Sequence, residues 1–184
     1  MDRLASSARS DPYGSRINRV QSPLKAQAVP YVSIMLGSLI PFLFVADVMP
    51  LLPPLGFLML VGWRIMRPGL LPLWVGVPLG AFDDLFSGQP FGSAVLLWSL
   101  AMIALELIDS RSPYRGFLQD WFTASLVISL YILAAMVVSI QSATGPLLLA
   151  AAPQIVAAVL AYPLVSRLIS ALDRFRLSRS RRIG

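Results

Sequence analysis

The side chains best placed for chemistry are three carboxylates set in apolar surroundings: the adjacent pair Asp83 and Asp84, and Glu106. Two carboxylates are a starting point for a metal site or an acid–base pair. Nothing else in the chain completes either one. The sequence has no Cys and no His, which removes disulfides, thiol chemistry, imidazole catalysis and the usual zinc sites. The expectation is a protein with no catalytic residues, no metal and no cofactor.

Asp84 sits in the most unusual local sequence, Gly76-Val-Pro-Leu-Gly80-Ala-Phe-Asp83-Asp84-Leu-Phe-Ser-Gly88-Gln-Pro90-Phe-Gly92. Gly76, Gly80 and Asp84 recur every fourth residue, so on a helix they share a face. Glycines at that spacing let a neighbouring helix approach closely, as membrane helices do. The face therefore serves helix packing within the chain or contact with a partner. A carboxylate inside a membrane is costly and marks function by default; the plain alternative for Asp83 and Asp84 is a headgroup-level position that ends one helix or caps the next. Glu106, followed by Asp109, Arg111 and Arg115, is explained by an ion pair at the inner interface, with a proton relay as the sharper alternative.

These residues must be positioned by membrane-spanning helices. Of the 184 residues 57% are hydrophobic and 13% charged, with mean hydropathy +0.73, a balance that a water-soluble domain cannot keep off its surface. A span needs about 20 residues, and six are expected near Val29–Ala46, Leu51–Ile65, Gly69–Phe86, Phe91–Ile108, Trp121–Ile140 and Pro146–Arg167. The fifth and sixth share an uncharged stretch from Trp121 to Ser166, broken at Gln141–Pro146 by a Gly-Pro turn. The second is short, because Pro50, Pro53 and Pro54 delay its start. Trp63 beside Arg64 and Arg67 reads as interfacial anchoring. The first apolar stretch, Ala26–Ala46, lacks a convincing cleavage site and is expected to be retained rather than processed as a signal peptide.

All 15 Lys and Arg residues fall on one side of this layout: Arg3, Arg9, Arg16, Arg19 and Lys25 in the N-terminal tail, Arg64, Arg67, Arg111 and Arg115 in two loops, and Arg167, Arg174, Arg176, Arg179, Arg181 and Arg182 at the C-terminal end. The positive-inside rule then places both termini in the cytoplasm. The domain reading is a disordered basic tail over 1–28, a six-helix transmembrane domain over 29–172 and a second basic tail over 173–184. Leu164, Leu168, Leu172 and Phe175 continue an apolar stripe, so the last span is expected to emerge as an amphipathic interfacial helix. The net charge of +6 is spread without interleaved aromatics, which argues against nucleic acid and for anionic lipids as counter-charge.

The pattern Gly80-x-x-x-Asp84-Leu-x-Ser-Gly88-x-Pro90-x-Gly92, preceded by Trp63 and Pro68, resembles the MreD family of rod shape-determining proteins over residues 63–92. Asp84 matches the family's characteristic Asp, and Asp83 is an extra carboxylate. The resemblance implies a non-catalytic inner-membrane scaffold of the bacterial cell-elongation complex. Such a subunit associates with MreC, and through it with MreB and the peptidoglycan synthases of the SEDS and penicillin-binding families. It also implies a fold similar to the substrate-binding subunits of energy-coupling-factor transporters, whence an alternative reading as a small-molecule-binding transport component. A membrane enzyme acting on lipid-linked substrates is a third reading, with too few polar residues around the carboxylates to support it.

Overall fold

The computed structural model describes residues 23–43, 52–111, 116–139 and 147–177. Within these residues lie six helices: α1 (Pro23–Leu43), α2 (Leu55–Met66), α3 (Gly76–Asp84), α4 (Ser93–Arg111), α5 (Phe117–Ser139) and α6 (Leu147–Leu177), with a 3-10 turn at Leu73–Val75 before α3. Among the described residues there is no strand. Three helices are long and apolar enough to cross a bilayer: α4, and the stretches Phe117–Val138 of α5 and Ala151–Leu177 of α6.

The 12 residues of α2 and the nine of α3 rise only about 18 Å and about 13 Å, well short of a hydrocarbon core of roughly 30 Å. The expected helix over Gly69–Phe86 is thus corrected to a much shorter one. Pro68 and Pro72 interrupt the backbone ladder, and Gly69 takes φ +82°, so the chain turns twice before it can coil. Pro78 lies in the first turn of α3, where a missing N–H costs nothing. Two tail boundaries also shift: α1 begins at Pro23, inside the segment expected to be a tail, and α6 runs unbroken to Leu177.

The short helix α2 is the centre of the bundle. Every residue from Gly56 to Ile65 is buried, and α2 packs against α1, α4, α5 and α6. Gly56 meets Gly37 and Ser38 of α1, and Gly62 meets Ile169 of α6, so small residues permit the close crossings that helices need in lipid. Phe57 stacks on Tyr131 of α5 at 3.9 Å between ring centroids. The outer helices instead present large apolar side chains at four-residue spacing: Leu96 and Leu100 of α4, and Val156, Leu160, Leu164 and Leu168 of α6, are all exposed.

Two of the prolines inside long helices each leave a carbonyl without its helical donor, because proline has no N–H. Pro30 frees the carbonyl of Ala26, which accepts from Arg176 Nη1 of α6 at 3.1 Å. Pro163 frees that of Val159, which accepts from Trp121 Nε1 of α5 at 3.3 Å. A backbone carbonyl kept from water needs a partner within the protein, and here each partner ties two helices together.

Candidate functional site

The candidate site is the α3–α4 hairpin, built by the residues of the glycine motif. Gly76 and Gly80 both face α4. A Cβ on Gly76 would stand 2.9 Å from the Ser99 Cα, and one on Gly80 would stand 2.7 Å from the Ala94 carbonyl oxygen and 2.8 Å from the Val95 Cα. Those neighbours are backbone atoms and cannot swing away, so the face is filled by α4 of the same chain.

Asp84 completes this face at the end of α3, 6% exposed. Its carboxylate accepts from the backbone N–H of Gly92 at 2.8 Å, of Ala94 at 2.9 Å and of Val95 at 3.3 Å, and from the Ser93 hydroxyl at 3.2 Å. The backbone donors among these are ones that the first turn of α4 leaves without helical partners. Gly92 occupies the N-cap position, since its carbonyl accepts the first helical bond, from Leu96 N–H at 3.0 Å. It has no side chain to cap with. Asp84 reaches across from the preceding helix to do so, and its negative charge lies at the positive end of the α4 dipole.

The turn between the helices needs its own residue types. Gly88 takes φ +68° and Gly92 φ +97°, conformations that disfavour a Cβ. A Cβ on Gly88 would meet nothing within 4 Å, so its requirement is backbone conformation, not close helix approach. Pro90 is exposed, and its carbonyl accepts from Ser93 N–H at 3.1 Å. Pro68 lies far along the chain from this turn, exposed in the connection after α2.

Asp83, next to Asp84, points elsewhere. It lines a cavity with Ser38, Gln89, Tyr131 and Gln154 at the end of the bundle opposite the arginines. Sequence reasoning did not connect these residues: they come from α1, the α3–α4 turn, α5 and α6, and no spacing relates them.

The remaining candidates belong to the arginine-bearing end. Glu106 pairs with Arg64 of α2, and Arg64 also approaches Asp109 at 3.0 Å. The expected ion pair of Glu106 is therefore made across helices. Trp63 is corrected from an interfacial anchor to a core residue: it is fully buried, donates from Nε1 to the Ser33 hydroxyl at 2.9 Å, and carries the Arg176 guanidinium 5.7 Å above its ring. Asp173 accepts from Arg67 and Arg176, so the last turns of α6 are joined to α2 where a tail was expected. Arg115 and Gln141–Gly145 lie outside the described residues. Among the described residues no group of three or more acidic, His or Cys side chains could hold a metal ion.

A family model described as rod shape-determining protein MreD matches residues 26–172. Comparison with curated proteins and with solved structures gives no match.

Proposed function

The chain belongs to the MreD family of rod shape-determining proteins, and from that premise we propose that it is a non-catalytic scaffold subunit of the bacterial cell-elongation complex. In this reading six segments carry the chain back and forth across the inner membrane, the short α2 and α3 doing so together with the segments that flank them, and both termini lie in the cytoplasm. It associates with MreC, and through MreC with MreB and the SEDS and penicillin-binding synthases, so that lateral peptidoglycan synthesis keeps the cell a rod. Anionic lipids neutralise its basic side.

The observation that carries the non-catalytic part is the engagement of Asp84. Its carboxylate accepts from four donors of the α4 N-terminus, which leaves the motif's acid holding two helices together instead of meeting a substrate. Support for the sidedness comes from the distribution of the 15 basic residues.

The test is affinity purification of the tagged protein in mild detergent with mass spectrometry of what accompanies it. Recovery of MreC and wall synthases is the expected result; recovery of paired ATPase subunits instead would replace the scaffold with a transport component. Reporter fusions at Gly88, Ser112 and Gly145 check the topology, and an exported-type signal at Ser112 would overturn it.

A further inference from the structure

The cavity beside Asp83 has a volume of about 140 Å³ and is lined by Ser38, Asp83, Ser87, Gln89, Tyr131 and Gln154 among apolar neighbours. A second cavity of about 110 Å³ adjoins it, sharing Gln89, Tyr131 and Gln154. Oxygen-bearing side chains predominate among the polar residues of this space, although the Gln89 amide oxygen already accepts from the Ser93 hydroxyl at 3.2 Å. Gln154 donates its Nε2 hydrogen to the Leu52 carbonyl at 3.1 Å, which leaves its amide oxygen as an acceptor. Ser38 is 7% exposed, and its hydroxyl lies beside Asp83 without well-formed hydrogen-bond geometry. The Ser87 hydroxyl is likewise buried without a partner.

What the cavity lacks is positive charge. No Lys or Arg occurs in residues 26–63, 68–110 or 116–166, and every residue that lines the cavity falls within those stretches. Asp84 cannot share a counter-charge, because its own donors are fixed at the start of α4. A carboxylate removed from water with no cation beside it is costly; the neighbouring Ser38 hydroxyl offsets only part of that cost, and the buried Ser87 hydroxyl adds an unsatisfied group of its own.

We propose that this cavity binds a compact monovalent cation, an alkali ion or the ammonium end of a small amine, with Asp83 as the charged ligand and the hydroxyls of Ser38 and Ser87 as oxygen donors. Anions are excluded by the absence of positive charge. A divalent ion would want a second free carboxylate, and among the described residues lining the cavity Asp83 is the sole acid, Asp84 being engaged. The space beside Asp83 holds a cation with one or a few waters, since one water takes about 30 Å³ of liquid, whereas a bulky organic cation would have to fill the adjoining cavity as well. This site is independent of the scaffold reading.

The test is thermal unfolding of the full chain in lipid nanodiscs, followed by intrinsic fluorescence, in chloride salts of sodium, methylammonium and N-methylglucamine at equal ionic strength. The expected result is a saturable rise in the unfolding midpoint with sodium or methylammonium relative to N-methylglucamine. Sodium acting alone identifies an alkali-ion site, and methylammonium acting identifies an amine site. Asp83→Asn should abolish the difference. Ser87→Ala, in the turn outside both helices, should raise the half-saturating concentration roughly fivefold, as loss of one hydrogen bond does, and serves if Asp83→Asn fails to fold. Equal midpoints in all three salts, or a difference that survives Asp83→Asn, would overturn the proposal.

Discussion

The two ends of the bundle handle buried charge differently. At the arginine-bearing end, Arg64 is 2% exposed and held by Glu106 and Asp109, while Arg67 and Arg176 bracket Asp173. Side chain answers side chain. At the opposite end, Asp84 is answered mainly by backbone N–H groups, and its neighbour Asp83 meets no basic side chain among the described residues. An ion pair joins helices wherever two long side chains can reach; a capped helix start also fixes the turn that leads into it. In the first arrangement Glu106 and Arg67 are about half exposed and can turn outward when a partner is lost; Asp84 at the second end has no such outlet.

The most damaging change is expected in the hairpin. Gly80→Leu forces a side chain into the Ala94 and Val95 backbone, and a cost of about 4 kcal/mol or more is expected, read as loss of monodisperse protein on size-exclusion chromatography. Asp84→Ala strands several donors at the start of α4 and should cost about 3 kcal/mol. Hydrogen exchange would register it as lost protection confined first to the N-terminal turn of α4. A uniform loss of protection along α4 would show that the cap is not a local feature.

At the other end Arg64→Met tests the tolerance of the ion pairs. It leaves Glu106 and Asp109 without this guanidinium, but the Glu106 side chain is 52% exposed and can turn to solvent or headgroups, so about 2 kcal/mol is expected rather than the larger loss of a fully buried pair. Denaturant unfolding of the two variants side by side should rank Asp84→Ala below Arg64→Met in stability. The smallest effect is at Gly88: Gly88→Ala places a Cβ at φ +68° in open space, for about 1 kcal/mol, seen as a small drop in thermal midpoint. A large drop there would mean that the turn is packed rather than merely bent.

Much of the candidate site is legible in the sequence because its residues are close together along the chain. Gly76, Gly80 and Asp84 announce a shared face by their spacing, and Gly88, Pro90 and Gly92 announce a turn. The length of α3 is less legible, because hydropathy continues through Pro68–Pro72 while the backbone cannot. Trp63 is obscured for a related reason: proximity to Arg64 and Arg67 suggests an interface, yet Ser33 of α1 and Arg176 of α6 close over the ring.

Composition and local spacing are enough to show that lipid is the main solvent of this protein, that its basic residues are confined to a few stretches of the chain, and that Gly76, Gly80 and Asp84 share a helix face. Which group answers which charge is instead a property of the folded bundle: Asp84 caps α4 while Asp83 opens on a cavity, Arg64 answers Glu106, and Arg176 and Trp121 supply the donors that Pro30 and Pro163 lack. Apart from the cap, these arrangements join helices distant in the chain. Their partners are set by how the helices pack around α2, which no local spacing encodes.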